Sequence, residues 1–161
     1  MRIWVVTDTH FLDKNLIGKG YRPKHYQSRI LLHWREKVRP EDMIIHLGDF
    51  SMGPSDETKE ILGVLPGRMV ITIGNHDRSA HWFMEAKKDM FACKTFTYKG
   101  VLFSHHPALE LPERCYLNIH GHTHGNGHRE YNKQPWHYEL ALENTGYAPV
   151  LLKTTLKEKT R

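Results

Sequence analysis

Ile3, Trp4, Val5 and Val6 form an unbroken apolar run, the pattern of a strand covered on both faces. Residues 43–47 and 69–73 repeat it. Between these runs the spacing lengthens: Ile30, Leu31, Trp34 and Val38 recur at helical intervals within 25–38, and Pro40 stops the helix. Ser55, followed by Asp56 and Glu57, predicts an N-cap with an acidic first turn and a helix to Leu65, ended by Pro66-Gly67. Ser79 predicts the cap of another helix through Lys88. Residues 94–98 and 101–104, joined at Lys99-Gly100, read as a hairpin, and 116–119 as a further strand. Trp136, Tyr138, Leu140 and Leu142 alternate with His137, Glu139, Ala141 and Glu143, predicting a half-buried strand, and 150–152 closes the sheet. Residues 11–24, with Gly18, Gly20 and Pro23, read as a long loop.

Strands and helices intermingle, so the fold class is α/β. Polar motifs follow five of the apolar runs: Asp8-Thr9-His10, Gly48-Asp49, Gly74-Asn75-His76-Asp77, Ser104-His105-His106-Pro107 and Gly121-His122-Thr123-His124. Loops at the carboxyl ends of strands converge while the strands stay rigid, which places these motifs along one edge. Asp8, His10, Asp49, Asn75, His105, His122 and His124 offer seven oxygen or nitrogen donors and no sulfur. That is too many for one tetrahedral zinc and suits two five- or six-coordinate ions sharing a carboxylate. Phosphoester chemistry uses such a pair, ~3.5–4 Å apart, to hold a bridging hydroxide and clamp phosphoryl oxygens.

The bulk numbers narrow the class. At 161 residues the chain is expected to be one domain spanning 1–161, with 39% hydrophobic and 25% charged residues as in ordinary globular proteins. No apolar run is long enough for a membrane span, and Met1-Arg2 leads straight into a strand. A cytoplasmic protein with no membrane partner is the expectation, with Cys93 and Cys115 as free thiols. A net charge of +5 lies partly in the tail 153–161, expected to be a solvated end. Thirteen His are the compositional anomaly, and those in the motifs stand where a metal site would use them.

The order D-x-H, G-D, G-N-H-D, H, G-H-x-H, running from Asp8 to His124, resembles the calcineurin-like metallophosphoesterases. The resemblance implies two mixed sheets packed face to face and flanked by helices. It implies that Asp8, His10, Asp49 and His124 bind one metal and that Asp49, Asn75, His105 and His122 bind the other, with Asp49 as the bridge. It also implies that His76 is a non-ligand catalytic His that touches phosphate and protonates the leaving oxygen. More narrowly, the chain is similar to short bacterial and phage members, through Asp8-Thr9-His10-Phe11, Arg22-Pro23, the His46 to Phe50 stretch and His105-x-Pro107. It departs from them at Leu12-Asp13, where those relatives carry Gly-His. Residues 48–54 lack the Asp-Arg-Gly of the protein serine/threonine phosphatases, which argues against that branch.

Around the donors, Asp77 either orients the His76 ring or caps its turn. Arg22 and Arg78 are the candidate phosphate contacts because a guanidinium fork matches phosphate oxygens, with Lys14, Lys19 and Arg129 behind them. His106 either lines the pocket or packs. His46 and His120 read as buried supports, and His25, His33, His81, His128 and His137 as surface or packing residues. Mn²⁺ suits the hard-to-borderline donor set best, with Zn²⁺, Fe or Ni²⁺ as alternatives. The expected activity is hydrolysis of a phosphodiester or phosphomonoester, the diester favoured because no further domain caps the site. The alternatives are a nuclease acting on nucleic acid or nucleotides, and a non-catalytic metal-binding scaffold.

Overall fold

A computed structural model of the chain describes residues 1–125 and 134–159. In order the elements are β1 (Ile3–Val6), α1 (Asn15–Gly18), α2 (Tyr26–Lys37), β2 (Met43–His46), α3 (Ser55–Val64), β3 (Arg68–Thr72), α4 (Ala80–Ala86) and β4 (Met90–Cys93). They continue with β5 (Thr95–Tyr98), β6 (Val101–Ser104), β7 (Leu117–His120), β8 (His137–Glu139), a 3-10 turn (Leu142–Asn144), β9 (Val150–Leu151) and α5 (Leu152–Lys159). Two mixed sheets result, one ordered β4-β3-β2-β1-β9 and the other β5-β6-β7-β8. Strands β1 to β4 run parallel, as do β6 to β8, while β9 and β5 are the antiparallel edges.

The continuous apolar runs are explained by what lies on each face of the first sheet. Trp4, Val6, Ile44, Met69 and Ile71 pack with Ile30 and Trp34 of α2, Leu62 of α3 and Phe83 of α4. The intervening Val5 and Ile45, with Leu47, pack against Val101, Phe103, Leu117 and Ile119 of the second sheet. Each fully buried side chain of this size contributes about 1.5–3 kcal/mol, so both layers hold the strands whose ends carry the motifs. Asp42 anchors the start of β1: its carboxylate accepts the Arg2 backbone N–H (2.8 Å), Arg2 Nε (3.0 Å), Trp4 Nε1 (3.1 Å) and the Arg39 N–H (3.2 Å). Burial opposes its charge, but these donors outweigh that and hold the carboxyl below the usual carboxylate range.

Several boundaries differ from the sequence pattern, each for a local reason. Ser55 is the first helical residue of α3, with Pro54 at the cap position and no capping side chain. Ser79 does cap α4, accepting the Trp82 N–H at 3.3 Å. That helix stops at Ala86, and Lys87 turns its ammonium onto the Leu62 and Leu65 carbonyls at the end of α3 (2.8 and 2.7 Å). The 11–24 stretch contains α1, whose first N–H groups bind Asp13 Oδ1. Strand β4 was not foreseen: only Met90 and Ala92 face inward, while Phe91 is exposed. The alternating stretch around 136–143 forms only the short β8, and it is His137 that is buried, its Nε2–H donating to Ala108 O (2.8 Å) with Trp136 edge-on beside it. The tail expected to be solvated forms α5, with Leu152 and Thr155 buried. His128 and Arg129 lie outside the described residues.

Candidate metal centre

Each donor leaves the carboxyl end of a parallel strand: Asp8 and His10 after β1, Asp49 after β2, Asn75 after β3, His105 after β6, and His122 and His124 after β7. Five of them turn through the left-handed region, with φ of 48° at Asp8, 44° at His10, 53° at Asp49, 73° at His122 and 52° at His124. Left-handed backbone at a non-glycine residue costs on the order of 1–3 kcal/mol and is kept only where surrounding structure over-determines it. The motif glycines are explained by crowding. A Cβ on Gly74 would collide with Asp49 Oδ1, and one on Gly121 with Asp8 Oδ2.

The side chains gather into two groups with a carboxylate between them. In the first, His124 Nε2 lies 3.6 Å and His10 Nε2 4.0 Å from Asp8 Oδ1. In the second, His105 Nε2 lies 2.9 Å from Asn75 Oδ1 and 3.1 Å from His122 Nδ1. Asp49 Oδ2 is 3.4 Å from His10 Nε2 and 3.4 Å from His105 Nε2. Such donor spacings are those of atoms sharing a small cation. Asp8 Oδ1 and His10 Nε2 are also buried with no hydrogen-bond partner among the described residues, and a cation would remove that penalty. Burial, then His124 and Arg22, drives His10 down to about 2, and burial followed by His106 and His105 takes His122 to about 4. Both shifts favour the neutral imidazole, the form that ligates a metal ion. Burial raises the Asp8 carboxyl against the opposing pull of His124, His105 and the Thr7 hydroxyl.

The surrounding residues fix how the donors present themselves. His105 Nδ1 donates to Leu47 O (2.9 Å), leaving Nε2 facing the cluster. His46, fully buried, accepts the Gly48 N–H at Nδ1 (3.1 Å), so its Nε2–H points at Thr9 Oγ1 (3.0 Å), which donates to Phe50 O (2.8 Å). Asp77 takes the second of its two expected roles. Its Oδ2 accepts the N–H of Asp49 (2.7 Å) and Gly74 (2.8 Å), and its Oδ1 that of Phe50 (2.7 Å). Burial lifts this carboxyl to about 6 against those three donors.

The candidate phosphate contacts differ in how far they are engaged within the protein. Arg22 is buried, its Nε on Glu143 Oε1 (2.8 Å), Nη1 on Asp8 O (2.7 Å) and Nη2 at His124 Nδ1 (3.0 Å). Its fork is consumed in holding the site from behind. Arg78 donates to Gly53 O (2.6 Å) and lies over the Trp82 ring. His76 is exposed, its backbone N–H on Asp49 Oδ1 (2.9 Å) and its ring centroid 5.6 Å from that of His10. His106, also exposed, lies with its ring 3.9 Å from the His122 ring and joins His105 and His122 in one donor group. Asp13, where relatives carry His, brings Oδ2 to 3.7 Å from His10 Nδ1. Sequence reasoning missed Glu143, which sits in the 3-10 turn beside His124 and has no local motif to announce it.

A family model for calcineurin-like phosphoesterases matches residues 1–155. The chain belongs to this family. Among relatives of this phosphoesterase, an uncharacterized protein of Methanocaldococcus jannaschii is 29% identical over 171 aligned positions, covering 97% of this chain and 90% of that one. A solved structure of a protein of unknown function from Aquifex aeolicus is 28% identical, with a TM-score of 0.74 over 97% of this chain and 98% of that one. A structure described as a novel archaeal phosphodiesterase, 17% identical, shares the fold with a TM-score of 0.52 over 94% of this chain and all (100%) of that one. Among the described residues no helix is long and apolar enough to cross a membrane.

Proposed function

We propose that this phosphoesterase is a binuclear metal-dependent hydrolase that prefers phosphodiesters and uses His76 as the acid for the leaving oxygen. The observation carrying the two-metal reading is Asp49 Oδ2, 3.4 Å from a donor of each group. A carboxylate oxygen so placed would be shared by the two ions. Asp8, His10 and His124 would hold one divalent ion and Asn75, His105 and His122 the other, Mn²⁺ fitting this hard-to-borderline set best. Bound ions supply charge neutralisation of the phosphoryl oxygens and acidification of water. The chain's own part is positioning: Asp77 fixes the Asp49 and Asn75 loops, and the exposed His76 ring stands beside the cluster within reach of a substrate oxygen.

The diester preference rests on charge. A phosphomonoester carries about two negative charges near neutral pH and a diester one. Arg22 spends its N–H groups on Glu143, the Asp8 carbonyl and His124, and the half-buried Arg78 commits its Nη2 to Gly53 O. Arg22 is then not available to match the second charge, while Asn75, His76 and His106 are exposed on the side where a second ester arm would lie. The test compares kcat/KM of the Mn²⁺-loaded protein for bis-nitrophenyl phosphate and nitrophenyl phosphate, which share a leaving group. Comparable or greater diester activity is expected. A hundredfold monoester preference would refute the substrate assignment, and one ion or none per chain by elemental analysis would refute the binuclear one.

A further inference from the structure

His124 Nδ1 faces two groups that make opposite demands on it. Arg22 Nη2, 3.0 Å away, can only donate. Glu143 Oε1, 3.2 Å away, can only accept while ionised. Satisfying Arg22 would leave Nδ1 bare and put the proton on Nε2, the atom 3.6 Å from Asp8 Oδ1. Satisfying Glu143 puts the proton on Nδ1 and aims the Nε2 lone pair into the first donor group. Glu143 in turn is held by Arg22 Nε at 2.8 Å, while Arg22 Nη1 is fixed on the Asp8 carbonyl at 2.7 Å.

We propose that Glu143 is a positioning residue that selects the metal-binding tautomer of His124 against Arg22, and thereby sets the affinity of the Asp8–His10–His124 group for its ion. The need for such a selector is local. His105, the corresponding ligand of the other group, is buried and has its tautomer fixed by a main-chain carbonyl. His124 stands on a left-handed turn with its side chain 22% exposed, and no main-chain acceptor at Nδ1 is seen among the described residues. A carboxylate behind a ligating imidazole also raises its basicity, and losing such a partner costs metal affinity by about 10–100-fold. The idea rests on the metal-binding part of the proposed function, but not on the reaction catalysed.

Two readouts test it. In metal-free protein, at a pH alkaline enough that the His124 ring, raised against burial by Glu143 and Asp8, is neutral, long-range ¹H–¹⁵N NMR reports which nitrogen of each His carries the proton, with the His124 signals assigned by their absence in His124→Asn. The expected result is Nδ1–H in the wild type and Nε2–H in Glu143→Ala. Manganese titration should then show one ion per chain weakened by about 10–100-fold in Glu143→Ala, the ion of the His105 group unchanged, and Glu143→Gln intermediate because its amide oxygen still accepts. A wild-type His124 carrying its proton on Nε2, or a Glu143→Ala protein that binds both ions as tightly as the wild type, overturns the proposal. A folded wild type that binds no manganese, yet shows the expected tautomers, would instead overturn the functional reading.

Discussion

Asp77 Oδ2 accepts the backbone N–H of Asp49 at 2.7 Å, although 28 residues separate the two in the chain. The same oxygen takes the Gly74 N–H, and the other takes that of Phe50. One carboxylate therefore clamps the loop after β2 to the loop after β3, and with them Asp49 to Asn75. Hydrogen bonds to an ionised acceptor contribute about 1.5–3 kcal/mol each. Asp77→Ala is expected to cost on the order of 3 kcal/mol of stability and to lower metal affinity. Asp77→Asn, which turns an amide N–H₂ toward an N–H donor, should fold more stably than Asp77→Ala yet still bind metal less tightly than the wild type. Urea unfolding and manganese titration of both variants check this; unchanged metal affinity in Asp77→Asn would count against the clamp.

The donors were legible in the sequence because each is announced locally, by an apolar run and a polar exit within a few residues. The sheet layers were legible for the same reason: Ile3 to Val6 is apolar at every position because helices cover one face and a second sheet the other. The supports were not legible. Arg22 meets Glu143 across 121 residues, and no pattern around either predicts the contact. Arg22 was read as a phosphate ligand from its chemistry, which is equally that of a buried fork for carbonyl and carboxylate. The hairpin was visible because Lys99-Gly100 joins two short strand-like runs, and both turn residues adopt the positive φ (48° and 75°) that a tight turn of that kind demands.

Metal removal should be visible in stability before any assay of activity. A ligand at a hundred times its dissociation constant stabilises the native state by about 2.7 kcal/mol. For a domain of this size that corresponds to a rise in Tm of roughly 5–11 °C. Differential scanning calorimetry with excess manganese and with a chelator measures it. Asp49→Asn should flatten the response by weakening both groups together. Equal melting temperatures for the loaded and chelated wild type would mean that the cluster does not hold the ion.

Asp42 makes a prediction about acid stability away from the metal centre. Its folded-state carboxyl titrates below the ordinary value of 3.8. The sign follows directly. The unfolded chain binds the proton more readily, so the stabilisation is fully present above about pH 4 and is lost as pH falls through the folded value. The ion pair itself adds little, since the Arg2 side chain is 41% exposed. The buried acceptor role toward Trp4 Nε1 and the two main-chain N–H groups carries most of the effect. Asp42→Ala should cost about 3 kcal/mol at pH 7, with the gap to wild type narrowing as pH drops below 4. A gap independent of pH between 7 and 2 would show that the charge is not what matters.

His76 separates chemistry from metal binding. Its backbone N–H touches Asp49 Oδ1, but its ring is exposed and stands outside both donor groups. His76→Ala keeps that backbone contact and every donor, so both ions should remain bound by elemental analysis. If the ring protonates the leaving oxygen, kcat should fall by roughly 10²–10⁴. The fall should be smaller for a leaving group of low pKa such as nitrophenolate, which departs with little help, and larger for an alkyl ester, which does not. Equal losses with both would assign the ring to charge stabilisation on the transferring phosphoryl group rather than to proton transfer. A lost ion would make His76 a ligand and require the donor groups to be redrawn around it.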